Sequence, residues 1–227
     1  MKSYRALGLL TAIALGTLLL PADGRATGFG PSPYRSFADS PFAGISFAWF
    51  HLENFENGAL TVPGVSISTG RVIFPSDFTD SVDGDDGLIK GLGRDGHSWL
   101  VPDNCLTITF SAHVLGELPT HVGIVWTDVG FSDSIDGFGK VTFEAFDRHG
   151  NLIVKIGPSP VGDGQFGGQT EEDRFFGAFH ADGIKKIRIT MNSADWEIDH
   201  LQFGAVPEPG TLALVGTSLL LLAARRR

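Results

Sequence analysis

A single cysteine, Cys105, stands in 227 residues, so no disulfide can form within the chain. Residues of β-strand type flank it on both sides, and burial in the core is its expected place. Basic residues are scarce, 17 Lys and Arg against 26 Asp and Glu, a net charge of −9. That balance, sharper still once both ends are removed, repels nucleic acid and anionic lipid and leaves divalent cations and neutral ligands as the expected partners of the domain, with no nucleic acid. No apolar run reaches the roughly 20 residues that a membrane-spanning helix needs. The seven histidines form no HxH or HExxH pair, which argues against zinc, and neither a GxSxG elbow nor a P-loop occurs. Apolar stretches of helical length occur only at the two ends.

Thirty Gly, 18 Phe and only 19% charged residues suit packed strands joined by glycine-rich turns. Strand-like runs are expected at 46–52, 65–68, 72–74, 98–101, 106–112, 122–127, 141–146, 152–156, 174–179, 184–191 and 196–203. Several alternate in period two: Leu106, Ile108 and Phe110 against Thr107, Thr109 and Ser111, and Val141, Phe143 and Ala145 against Thr142 and Glu144. About ten short strands without intervening helices predict an all-β fold, two antiparallel sheets packed as a sandwich of jelly-roll type. Thr27 to Pro41, punctuated by Gly and Pro, reads as an extended surface leader to this domain. Asp147 to Asn151 reads as a hairpin turn, and Gly157 to Gly168 as the longest loop. The four tryptophans are expected chiefly in the core, and could stack on sugar rings where exposed.

The ends are of another kind. Lys2 and Arg5 precede an apolar run from Ala6 to Leu20 and then Pro21-Ala22-Asp23-Gly24-Arg25-Ala26, the order of a secretory signal peptide spanning residues 1–26 and removed by signal peptidase. At the other end Pro207-Glu208-Pro209 is followed by Thr211 to Ala224, which carry no charge, and by Arg225, Arg226 and Arg227. Physically, 206–227 is a stop-transfer tail, a short transmembrane helix whose arginines stay on the cytoplasmic side. The combination resembles the PEP-CTERM sorting signal. That resemblance implies cleavage by an exosortase in the inner membrane of a Gram-negative bacterium, and placement at the cell surface or in a polysaccharide matrix. Between the ends, residues 27–205 hold 11 basic and 24 acidic residues, a net −13.

Chemistry is expected where acid concentrates. Asp77, Asp80, Asp83, Asp85 and Asp86 fall within ten residues, and Gly84 and Gly87 permit turns that aim oxygens inward. Crowded carboxylates repel unless a cation screens them, and calcium accepts carboxylate oxygens without strict geometry. The spacing is not that of an EF-hand, and a solvated acidic loop is the alternative. Phe55-Glu56-Asn57-Gly58 early and Ile198-Asp199 late resemble the galactose-binding-like jelly rolls of carbohydrate-binding modules. There, first and last strands supply carboxylates to a structural calcium, which implies Glu56 and Asp199 as ligands here. The metal candidates are thus Asp80, Asp83, Asp85, Asp86, Glu56 and Asp199. Glu171 and Glu172 are adjacent, and adjacency does not set two carboxylates across a glycosidase cleft. No catalytic residue is therefore expected. The expectation is an exported, exosortase-sorted, non-catalytic sandwich, calcium-stabilised and binding carbohydrate or matrix. A carbohydrate-active enzyme and a purely structural matrix protein are the alternatives.

Overall fold

The computed structural model describes residues 25–84, 88, 91–128, 139–162 and 167–207. The expected signal helix and short transmembrane helix lie outside the described residues, as do Asp85 and Asp86. Among the described residues no helix is long and apolar enough to cross a membrane.

Among the described residues twelve strands form, with one helical turn, α1 (Ala112–Leu115), and three short 3-10 turns. Sheet A contains β1 (Thr27–Pro33), β10 (Arg174–Phe179), β7 (His121–Trp126), β12 (Trp196–Ala205), β5 (Ser98–Val101) and β4 (Arg71–Ile73) in that order, with β2 (Trp49–Glu53) also paired to β12. Sheet B is ordered β3 (Val65–Ile67), β6 (Cys105–Phe110), β11 (Ile184–Thr190), β8 (Lys140–Asp147) and β9 (Leu152–Pro160). Every pairing among these strands is antiparallel.

Alternation fills the space between the sheets. Leu106, Ile108 and Phe110 of β6, Val141, Phe143 and Ala145 of β8, and Ile187 and Ile189 of β11 meet Val122, Ile124 and Trp126 of β7 and Phe176 and Ala178 of β10. Each fully buried side chain of this size contributes about 1.5–3 kcal/mol. The parity that sends Leu106 inward turns Cys105 outward, so the cysteine is exposed rather than in the core. Trp126 and Trp196 are buried, while Trp49 and Trp99 are half-buried.

Sheet A is covered on its second face as well. Thr27–Pro33, expected as a surface leader, is an edge strand on β10, and prolines there leave unpaired amides absent from the open edge. The chain then folds Tyr34 and Phe42 onto the outward side chains Val125 and Phe175, with Phe29, Phe47 and Phe50 around them. Burial on both faces explains why β7 and β12 are buried along their whole lengths. Gly123 makes this cover fit, since a Cβ there would stand 2.4 Å from the Phe175 ring.

The cross-strand registers order the two ends of sheet A. Thr27, Phe179, His121 and Gly204 lie in one row, and Pro33, Arg174, Trp126, Ile198 and Trp99 in another at the far end. The chain enters and leaves the domain by the first row. The acidic residues gather beyond the second. The turn at Asp147 forms as expected, Asp147 Oδ1 accepting the amides of His149 and Asn151 at 2.8 Å. The glycine-rich stretch from Gly157 is partly strand, since β9 runs on to Pro160.

Candidate functional site

Trp196 and Ile198 of β12 enter the core, so Glu197 and Asp199 point to the outer face of sheet A, two carboxylates on one side of a strand. A bulge follows. His200 takes a left-handed φ of 43°, the register to β7 slips between Asp199 and Gln202, and the strand's other partner changes from β5 to β2. The extra residue restores Leu201, Phe203 and Ala205 to the core side and leaves His200 beside the two acids.

The segment after β4 closes over them. Ser76 and Thr79 form a turn, the Ser76 hydroxyl accepting the Phe78 amide at 3.2 Å and the Thr79 hydroxyl donating to the Phe74 carbonyl at 2.6 Å. Thr79 to Val82 are then buried. The Ser81 amide donates to the Gly93 carbonyl at 2.9 Å, and Gly93 must be glycine because a Cβ would lie 2.3 Å from Asp80 Oδ1.

Two groups of carboxyls result. In the first, Glu56 and Asp199 flank Ser81, whose hydroxyl lies 3.3 Å from Glu56 Oε1 and 3.1 Å from Asp199 Oδ2. Asp199 also accepts the Val82 amide at 2.9 Å and the His200 amide at 2.6 Å, and Glu56 accepts the His97 amide at 2.6 Å with the His97 ring at 3.0 Å. His200 Nε2 stands 3.3 Å from Asp83 Oδ2, and its Nδ1 2.9 Å from the Tyr34 hydroxyl, which accepts from Gln202. Ligand atoms of Asp83, Asp199 and His200 lie within 4.8 Å of one another. Burial opposes a charged His200, but the hydrogen bond and charge of Asp83, with the charge of Asp199, raise its pKa. Burial would likewise raise Asp83, yet His200 holds it below the ordinary carboxyl value. Asp199, fully enclosed, is pushed up to about 7 by burial. This group is internally satisfied, with its acids on protein donors and the His200 ring among them.

In the second group Asp80 and Asp128 are not. Asp80, Asp128, Glu172, Asp173 and Glu197 are each at most 4% exposed. The Asp80 amide donates to Glu197 Oε2 at 3.0 Å, the Thr127 hydroxyl to the Asp80 carbonyl at 3.0 Å, and the Glu197 amide to the Asp128 carbonyl at 2.9 Å. These bonds lash the acidic segment, the end of β7 and the start of β12 together. The side chain of Asp80 meets that of Asp173, and Asp128 meets Glu172. Neither oxygen of Asp80, nor Oδ1 of Asp128, receives a donor, and among the described residues no Lys or Arg pairs with Asp80, Asp128 or Glu197. Burial and then the charges of Glu197, Glu172 and Asp199 hold the Asp80 pKa well above the usual range. Asp128 is pushed up to about 11 by burial and by Glu172, Glu197 and Asp80, and Glu197 to about 7 by burial.

Of the sequence candidates, Asp80, Asp83, Glu56 and Asp199 come together at this end of sheet A. Asp77 instead lies on the surface, 3.4 Å from Arg94. Asp128, Glu172, Asp173, Glu197 and His200 join them. The spacing of Glu197 and Asp199 within an otherwise apolar strand is the signal that could have pointed to both. Glu171 and Glu172 lie in a 3-10 turn and diverge, one exposed and one buried. Pro207 of the sorting tripeptide sits at the opposite end, lining a cavity of about 270 Å³ with Glu117, Leu118 and Arg148, and the Val206 amide donates to the Thr120 hydroxyl at 3.2 Å. Glu208, Pro209 and Arg225 to Arg227 lie outside the described residues.

Residues 205–227 match a family model described as the PEP-CTERM protein-sorting motif. The match marks an exported, membrane-processed protein sorted by an exosortase. No curated protein matches the chain.

Proposed function

We propose that the domain released from the tail is a non-catalytic, calcium-stabilised module that binds polysaccharide at the surface of a Gram-negative cell. The observation that carries the binding role is the pairing of a sealed acidic end with exposed aromatic rings beside it. Phe74 and Phe78 are 67% and 65% exposed, and Phe74 packs edge-on against His97, the residue that holds Glu56. Exposed rings of this kind mark a contact surface, and their faces suit the apolar faces of sugar rings. The non-catalytic role is supported by access. A general acid must reach the glycosidic oxygen, whereas Asp80 and Asp199 are wholly enclosed and Glu197 nearly so.

Electrophoresis of the full-length protein through gels containing the host's extracellular polysaccharide tests this reading. Wild-type protein is expected to be retarded, and a double Phe74→Ala, Phe78→Ala variant to lose at least tenfold in affinity with an unchanged melting temperature. Unretarded wild-type protein would sink the binding role. Release of reducing sugar from the same polymer would establish the enzyme instead.

A further inference from the structure

We propose that Asp80 and Asp128, together with Glu172, Asp173 and Glu197, hold a divalent cation of the calcium class inside the outer face of sheet A. This proposal rests on the calcium reading above and relocates the ion from the residues that sequence alone would choose. The inference turns on which carboxyl oxygens are already occupied. Asp199 accepts the Val82 and His200 amides, Glu56 accepts from His97, the one Ser81 hydroxyl proton lies between these two acids, and Asp83 faces His200. These acids have no need of an ion. Asp80 is 0% exposed and neither of its oxygens receives a donor other than the Asp173 carboxyl it meets, and Asp128, 2% exposed, has one oxygen without a donor. A buried polar atom without a partner costs on the order of 1–3 kcal/mol, and more when charged, so a fold that buries these oxygens together requires something to meet them.

The surroundings specify the kind of ion. Every side chain in the group offers oxygen alone, two pairs of carboxyls are in direct contact, and the nearest backbone is locked by the Asp80–Glu197, Thr127–Asp80 and Glu197–Asp128 hydrogen bonds. Oxygen-only, carboxylate-rich sites suit hard cations. Calcium tolerates irregular and bidentate carboxylates and sheds its water readily, whereas magnesium keeps several waters and an octahedral shell that a sealed site does not accommodate. The alternative is that the carboxyls share protons.

Full-length protein purified with chelator distinguishes these cases. Calcium at about 100 times its dissociation constant is expected to raise the melting temperature by about 5–10 °C, and equal magnesium to do far less. Asp80→Asn with Asp128→Asn should abolish the calcium shift while leaving the chelated protein at least as stable as chelated wild type, because it removes two buried carboxyls that no protein donor fully meets. Glu56→Gln and Asp83→Asn should retain the shift. If wild-type protein shows no shift, the calcium reading itself fails and the site with it. If the shift survives Asp80→Asn, Asp128→Asn but is lost in Asp83→Asn, calcium binds and this site is wrong.

A second measurement needs no variant. Trp126 and Trp196 adjoin the site in sequence, so terbium should show tryptophan-sensitised emission that calcium displaces. Absence of sensitised emission would overturn the proposal even if the double variant failed to fold.

Discussion

At the scale of single residues the site is a contest between protons and ions. Glu197 and Asp199 titrate near 4.5 and 3.8 when free and near 7 in the folded protein. Between those values the folded state holds more protons than the unfolded chain, so each increase in pH favours unfolding. His200 acts in the same direction: its raised pKa means that its stabilising charge is present below the ordinary imidazole value and is lost as pH rises through the raised one. Asp83, held low, opposes them only on the acid side, its contribution being lost as pH falls below 3.8. The chelated protein should therefore melt at its highest temperature near pH 4–5 and lose stability steadily toward pH 7 and above. Saturating calcium should flatten or reverse that decline, since it binds carboxylates only when ionised. Melting curves at pH 4.5, 6 and 8, with and without calcium, check this, and a chelated protein that gains stability toward pH 8 would refute the assignment. The sequence made the acidic run conspicuous but could not say which of its members would be served. Asp80 and Asp83 are three residues apart, yet one is sealed against other carboxyls and the other faces an imidazole.

The elements explain why some of the fold was legible and some was not. β5 and β10 were read with the boundaries they have, since turn residues bracket clear apolar patterns. β6 and β8 were recognised by alternation, which is the signature of one buried face. β1 was missed because its seven residues include two prolines, two glycines and almost no burial; pairing with an existing edge makes it a strand, and pairing is invisible in one dimension. The second face of sheet A did leave a trace. Val122-Gly123-Ile124-Val125-Trp126 does not alternate, and unbroken apolar strands are buried on both sides. Gly123 tests that cover directly. Gly123→Ala would drive a methyl into Phe175 and Phe42 and should lower stability by about 1–3 kcal/mol. Chemical denaturation measures it, and a loss below about 0.5 kcal/mol would show that the aromatic cover yields easily.

For the whole molecule, polarity is the main consequence of the registers. Thr27 and Gly204 share a row at one end of sheet A, and the carboxyl cluster lies at the other. A precursor tethered through its tail would thus hold the acidic end and Phe74 away from the membrane. Processing at both ends should be visible in intact mass: protein from the native host is expected to lack residues 1–20 and the terminal arginines, and finding both retained would contradict export and sorting. The central place of β12 also sets an order in time. Threaded from its N-terminal end, the chain delivers eleven strands before Trp196–Ala205 arrive. Until then β2 has no strand partner, β7 has one bare flank, Ser81 lacks Asp199 and Ser98 lacks Glu197. The matched sorting motif begins at residue 205, the last of β12. Sheet A can therefore close only after residue 205 has been delivered, which is where the sorting motif begins.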